Sequence, residues 1–297
     1  MNNMILYGLS NEAYHHEAPY SEYLSSSQLK HYLKSPRHAK FMLDNPDEEG
    51  TDALRLGSLF HDLMSSCAEH FDNGPEAIVQ WLDGIAVFEP PVNEKTGQPY
   101  EVTTKAFTEA YKEFLESNEG KTIASESEIR QILQMNQSLL AGSGATSKQV
   151  CKLLNYGKSE VSYFYETEEG IKLKVRPDLL TRDKIVDWKT CSLDSLDQDS
   201  IARQIIKYRY DVSLAMYQRV IHEIEGKWYT PILVFVQKQP PFDCIMCDVS
   251  DWCYSYDKDE DFVKPGVGAL EFRRLLNLHT KCVRDNHWPT SVEDVEE

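Results

Sequence analysis

No run of about 18 apolar residues occurs in this chain of 297 residues, which argues against a transmembrane helix. The N-terminus, Met1-Asn2-Asn3-Met4-Ile5-Leu6, lacks the basic flank and apolar core of a secretory signal. The seven cysteines are odd in number and follow no framework pattern, so a disulfide-stapled fold is not expected and a reduced, cytoplasmic protein is. There is no internal repeat, which argues against an array of stacked units. What is present is a hydrophobic fraction of 41%, enough for a sizeable core in one large domain or two small ones.

The net charge of −17 disfavours indiscriminate nucleic-acid binding. The charge is unevenly spread. Residues 172–189 carry six Lys/Arg against three Asp, and Arg203, Lys207 and Arg209 follow with no acid among residues 201–210. The acidic excess lies at Asp44 to Asp52, Asp251 to Asp261 and Glu293 to Glu297. A locally basic site on an acidic body can still hold a polyanion.

The densest chemistry is Arg176-Pro177-Asp178, a polar turn, then Asp187-Trp188-Lys189. Ile171 to Asp178 and Lys184 to Lys189 both alternate apolar with polar residues and read as strands. Thr181-Arg182-Asp183-Lys184 is the turn candidate. Pairing Leu180 with Ile185 sets Asp178 opposite Asp187, with side chains on one face about 5 Å apart. Asp187 and Lys189 share that face; Val186 and Trp188 take the other. Two facing carboxylates repel unless a cation bridges them, and Mg²⁺ suits such oxygen donors.

Elsewhere the pattern places helices first. Ser25-Ser26-Ser27 offers a cap for Gln28–Leu33, and Pro36 suits the start of the next helix. Asp52 to Cys67 is helical and carries His61. Glu89 to Thr104 reads as a long exposed loop, followed by helices at about 104–117, 125–141 and 146–155, with a break at 142–144. Glu160 to Glu166 reads as a strand, so three consecutive strands form a meander with the hairpin. A helical region from Ser200 to Glu225, broken near Tyr208–Asp211, leads to strands at Trp228–Gln237 and Asp243–Val249. The last helix, Gly268 to Asn286, offers Leu270, Leu275, Leu276 and Leu278 to the core.

The order His61, Glu160, Arg176-Pro177-Asp178, Asp187-Trp188-Lys189 and Tyr217 resembles the PD-(D/E)xK nuclease superfamily. Leu9-Ser10-Asn11-Glu12-Ala13-Tyr14-His15, Ser27-Gln28-Leu29, Leu56-Gly57-Ser58-Leu59-Phe60-His61 and Trp288-Pro289 extend the likeness to RecE-type (exonuclease VIII) phage exonucleases. The resemblance implies an α/β fold with a restriction-endonuclease-like core: a central mixed β-sheet flanked by helices. It also implies one nuclease domain over 1–297, with 1–156 mainly helical and 157–297 the sheet core and last helix. The implied activity is Mg²⁺-dependent 5′→3′ digestion of linear double-stranded DNA ends, with Mn²⁺ as a substitute ion. It would leave a 3′ single strand for an annealing protein, from a homo-oligomeric ring in the cytoplasm of a phage-bearing host, with no membrane partner.

By that resemblance Asp178, Asp187, His61 and the Trp188 carbonyl hold the first metal ion, and Glu160 reaches a second. Lys189 positions water or stabilises developing charge. Tyr217 contacts DNA, and Arg176, Arg203, Lys207 and Arg209 hold phosphates. His61 and Tyr217 also suit an ordinary core, and Lys207 and Arg209 a solvated face. The family's Gln-x-x-x-Tyr is altered here: Ser213 takes the Gln position, with Tyr210 or Gln218 as a substitute. A structure-specific endonuclease and a non-catalytic DNA-end-binding protein are the alternatives. Cys244-x-x-Cys247-x₅-Cys253 matches the iron–sulfur trio of AddB-type nucleases, with Cys67 or Cys151 as fourth ligand. A strand over Asp243–Val249 would aim Cys244 and Cys247 at opposite faces, so no Fe–S cluster is expected.

Overall fold

The computed structural model describes residues 3–45 and 52–291. The acidic stretch between Asp44 and Asp52 and the acidic tail lie largely outside these residues. The first half is mostly helical. Strand β1 (Met4–Leu6) precedes α1 (Asn11–His16), whose first turn is closed by the Ser10 hydroxyl accepting from Ala13 N. Helix α2 (Ser26–Leu29) starts at a capping box: Ser25 Oγ accepts from Gln28 N, and Gln28 Oε1 accepts from Ser25 N. Helix α3 (Pro36–Asp44) has its proline in the first turn, where the missing N–H costs nothing. Then come α4 (Asp52–Glu69), α5 (Gly74–Asp83), β2 (Ile85–Ala86), α6 (Lys105–Ser117), β3 (Thr122–Ile123), α7 (Glu126–Ala141) and α8 (Ala145–Tyr156).

The second half supplies the sheets: β4 (Lys158–Ser159), β5 (Ser162–Glu166), β6 (Lys172–Val175), β7 (Leu179–Leu180) and β8 (Lys184–Cys191). Helices α9 (Gln198–Tyr208) and α10 (Tyr210–Glu225) follow, divided at Arg209, which is left-handed at φ 51°. Strands β9 (Thr230–Gln237), β10 (Cys244–Asp248), β11 (Tyr254–Asp257) and β12 (Phe262–Pro265) lead to α11 (Val267–Asp285).

A five-stranded sheet in the order β10-β9-β8-β7-β4 is mixed: β8 and β9 run parallel, and the other pairs are antiparallel. Its two faces bury different cores, as period-two geometry requires. Ile185, Cys191, Leu233 and Phe235 pack with α10 and α11. Val186, Trp188, Ile232, Val234 and Val236 pack with α4, α7 and α8. Trp188 is 1% exposed, so its neighbours Asp187 and Lys189 are fixed on the other face.

Three expectations need correction. Ile171 to Asp178 is not one strand: β6 belongs to a separate sheet, β1-β5-β6, and the chain changes sheets through Arg176-Pro177-Asp178. Pro177 lacks the N–H that would carry a ladder onward. The consecutive meander is therefore divided between two sheets. Glu160 to Glu166 is also interrupted, because Glu160 is left-handed at φ 52° between β4 and β5. Finally, Leu270 is 52% exposed, whereas Leu275 and Leu278 are buried. Helix α11 approaches α10 closely at Gly268, where an added Cβ would lie 2.6 Å from the Asp211 backbone.

Candidate metal centre

The hairpin has the register expected from the sequence. Leu180 pairs with Ile185 and Leu179 with Val186, which leaves Asp178 next in line across from Asp187. Thr181 closes the turn: its N–H donates to the Lys184 carbonyl at 2.9 Å, and its hydroxyl accepts from Lys184 N at 3.0 Å. Asp178 Oδ2 accepts from the Trp188 N–H at 2.6 Å, so the side chain itself ties the start of β7 to β8. Lys189 Nζ lies 2.5 Å from Asp187 Oδ2.

His61, from α4, reaches the same place. Its Nδ1 is 3.3 Å from Asp178 Oδ1 and its Nε2 is 2.8 Å from the Trp188 carbonyl. Both neighbours are acceptors, an arrangement suited to an imidazolium. Burial alone would lower the His61 pKa, but the Asp178 carboxylate outweighs it and the net shift is upward. The two carboxyls diverge. Burial opposes ionisation of Asp178, yet His61, Lys189 and the Trp188 N–H together hold it below the usual range. Asp187 is pushed up by burial and by the Asp178 charge, against the pull of Lys189. Lys189 stays protonated, since the two carboxylates overcome its own burial. Glu160 sits beside them: its N–H points to the Asp178 carbonyl at 3.4 Å and its carboxylate lies 3.6 Å from Arg176. Burial, then the Asp178 charge, pushes Glu160 up to about 8.

These groups line a cleft of about 520 Å³. Helix α10 forms one side with Tyr210, Ser213 and Tyr217, which share a helical face. The Lys189 ammonium lies 5.0 Å from the Tyr210 ring centroid. Tyr217 is hydrogen-bonded to Ser26, and burial raises its pKa well above 10. The N-terminal part of the lining was not legible as part of the site: Tyr14 and His15 from α1, then Ser25, Ser26, Ser27 and Lys30 around α2. The family-like segments around Tyr14 and Ser27 were the available signal, but nothing in their spacing gives a cleft position.

Of the residues expected at DNA phosphates, Arg176 lines the cleft and the others do not. Arg176 is 8% exposed and spent on structure: Nε donates to Ser162 Oγ, Nη1 to Asn11 Oδ1 and Nη2 to the Leu9 carbonyl, while the guanidinium covers the Tyr14 ring. It braces the cleft wall rather than waiting for phosphate. Arg209 makes two 3.1 Å contacts to Asp211. Neither it nor Arg203 and Lys207, both exposed on α9, lines the cleft. Gln218 cannot stand in for the altered Gln position. It is 1% exposed, donates to the Tyr229 and Tyr254 carbonyls and accepts from Tyr254 N. Cys244 packs with the α7–α8 side of the sheet and Cys247 with the α10–α11 side, while the Cys253 thiol donates to the Asp211 carbonyl.

Among the described residues, no three His, Cys, Asp or Glu side chains are drawn together as a finished metal cage. The donors instead satisfy one another through His61 and Lys189. Their chemistry still fits a hard divalent cation: two largely buried carboxylates, an imidazole and a carbonyl at one cleft. The raised Asp187 marks a place where added positive charge would be stabilising. A larger cleft of about 650 Å³ lies on the far side of α10, lined by Arg219, His222, Trp228, Tyr254 and Arg273, without such a carboxylate set. No helix among the described residues is long and apolar enough to cross a membrane.

Residues 25–297 match the family described as a PDDEXK-like domain of unknown function (DUF3799). Among solved structures, the crystal structure called "Putative exonuclease" from Eubacterium rectale is similar. It is 14% identical with a TM-score of 0.54, over 94% of this chain and 87% of that one. That likeness shows a shared fold. The structure of SSO0001 aligns at 15% identity over 85% of each chain, but its TM-score of 0.25 supports no fold argument. No curated protein matches the chain.

Proposed function

Because the chain belongs to this PDDEXK-like family, we propose that it is a metal-dependent nuclease acting on the ends of linear double-stranded DNA. The observation that carries this reading is the convergence of Asp178, Asp187, Lys189 and His61 in one cleft on a rigid sheet. Asp178, Asp187, His61 and the Trp188 carbonyl would hold a Mg²⁺ or Mn²⁺ ion, with Glu160 toward a second. The ion would activate water and neutralise the phosphate. Lys189 keeps its proton and aims an ammonium at the same cleft, where it offsets charge growing on the phosphate oxygens. Trp188, packed in the opposite core, keeps Asp187 and Lys189 aimed there. Tyr210 and Tyr217 supply a wall for the strand.

The finer reading is an exonuclease that runs 5′→3′ and leaves a 3′ single strand for an annealing protein. Its supports are the RecE-like order of motifs and the exonuclease name of the Eubacterium rectale structure. A ring of several copies around DNA belongs to the same reading, as does a bacterial host cytoplasm. The test is linear duplex labelled at either the 5′ or the 3′ end, with covalently closed circles as control, in Mg²⁺. Wild type is expected to release label from the 5′ end first and to spare the circles. Cutting of closed circles would favour the endonuclease alternative. Binding of ends with no cutting by wild type would favour a non-catalytic end-binding protein.

A further inference from the structure

Most cations at the cleft are already matched. Lys189 is on Asp187, His61 on Asp178, and Arg176 on Glu160 and three hydrogen-bond acceptors. Lys174 is 2% exposed and its ammonium is held by the Tyr14 and Tyr20 carbonyls. Lys30 differs. It follows α2 directly, lines the cleft, and makes no ion pair among the described residues. Its Nζ donates to one group, the Tyr208 carbonyl at 3.1 Å. An ammonium has three N–H donors, so two remain. Tyr208 is the last residue of α9, where unpaired carbonyls attract a cation. That contact holds the ammonium at the cleft without neutralising it. Burial, then the Lys189 charge, lowers the Lys30 pKa to about 8, while Asp187 and Asp211 pull the other way, so these groups share one field.

We propose that Lys30 is a positioning residue that anchors a phosphate of the nucleic-acid strand in the cleft, from the N-terminal helical segment that helps line it. The inference rests on the nuclease reading above. Lys30 contacts no reacting atom in this role. It fixes the strand so that the scissile phosphate meets Asp178, Asp187 and Lys189. An anion there gains an ammonium that is partly desolvated and, among the described residues, has no carboxylate to surrender, which makes the contact worth more than one from a paired surface lysine.

The experiment compares wild type, Lys30→Met and Lys30→Arg. Cleavage of linear duplex is followed in Mg²⁺, and binding of the same labelled duplex is followed in EDTA across a salt series. Lys30→Met should raise KM about tenfold with kcat within about twofold, and should lower the slope of log affinity against log salt by about one. Lys30→Arg should restore most of the affinity and the slope. An unchanged KM and salt slope in Lys30→Met, beside an active wild type, overturns the anchor alone. So does a fall in melting temperature and kcat that Lys30→Arg fails to rescue, because a structural strut behaves that way. A wild type that neither binds nor cuts the duplex overturns both the nuclease reading and the anchor.

Discussion

The two walls of the cleft are built on opposite principles. On the sheet wall, each charge is matched by a neighbour: Asp187 by Lys189, Asp178 by His61 and the Trp188 N–H. On the helical wall, Lys30 projects a charge matched, among the described residues, only by a backbone carbonyl. The first arrangement stores a preorganised set of donors that a metal ion can reassign. The second leaves a binding group unspent for a ligand. On the proposed function, chemistry and grip are divided between two parts of the chain far apart in sequence.

The largest expected effect falls on the sheet wall. Lys189→Met should reduce kcat by about 10²–10³, as loss of a charge-stabilising donor does elsewhere. Asp187→Asn should cost at least as much while preserving shape. Both are read from nucleotide release at saturating duplex, with circular dichroism as a folding check. If either kept full activity, the division between the walls would collapse.

Bracing residues come next. Arg176→Met should destabilise the fold by about 1–3 kcal/mol in urea unfolding, because Ser162 Oγ, Asn11 Oδ1 and the Leu9 carbonyl lose their donor. Gly268→Ala should cost about 1–3 kcal/mol, since its Cβ meets the Asp211 backbone. Neither residue contacts the cleft donors Asp187 and Lys189, so stability should fall further than kcat measured on the folded fraction.

Acid provides a smaller, global test. Burial pushes His279 down to about 4, and the Tyr32 hydroxyl pairs with its Nδ1 at 2.7 Å, which suits a neutral ring. His15, on the helical wall, is also pushed to about 4, by burial and then by Lys174 and Arg176. The unfolded rings bind a proton near 6.5, so between pH 6.5 and 4 the unfolded state takes up more protons. The stability these neutral rings contribute is present above that window and lost as pH falls through it. Glu160, His61 and Asp187, whose pKa values are raised, act in the opposite sense, so the ring contribution is read as a difference: from pH 6.5 to 4 the melting temperature of His279→Gln should change less unfavourably than that of wild type. The smallest effect is expected from Arg203→Gln with Lys207→Gln, whose side chains lie outside the cleft: KM within about threefold at moderate salt.

The sheet wall was legible because strand alternation and a short turn convert spacing directly into geometry. Leu180 opposite Ile185 fixes Asp178 against Asp187, and the buried Trp188 fixes the face. The switch between sheets at Pro177 was not legible, since Ile171 to Asp178 alternates without a break in pattern. Arg176 illustrates a second limit. Its sequence neighbours suggest a phosphate ligand, but Asn11, Leu9 and Tyr14 arrive from the far N-terminus to claim its donors. Lys30 is the converse case: only the fold shows that, among the described residues, no carboxylate pairs with it.

The most direct test of the sheet wall is calorimetric titration of Mn²⁺ into wild type, Asp178→Asn and Asp187→Asn, without DNA. The account expects saturable binding by wild type and at least about tenfold weaker binding by each variant. Equal binding by all three, with the variants folded, would contradict it.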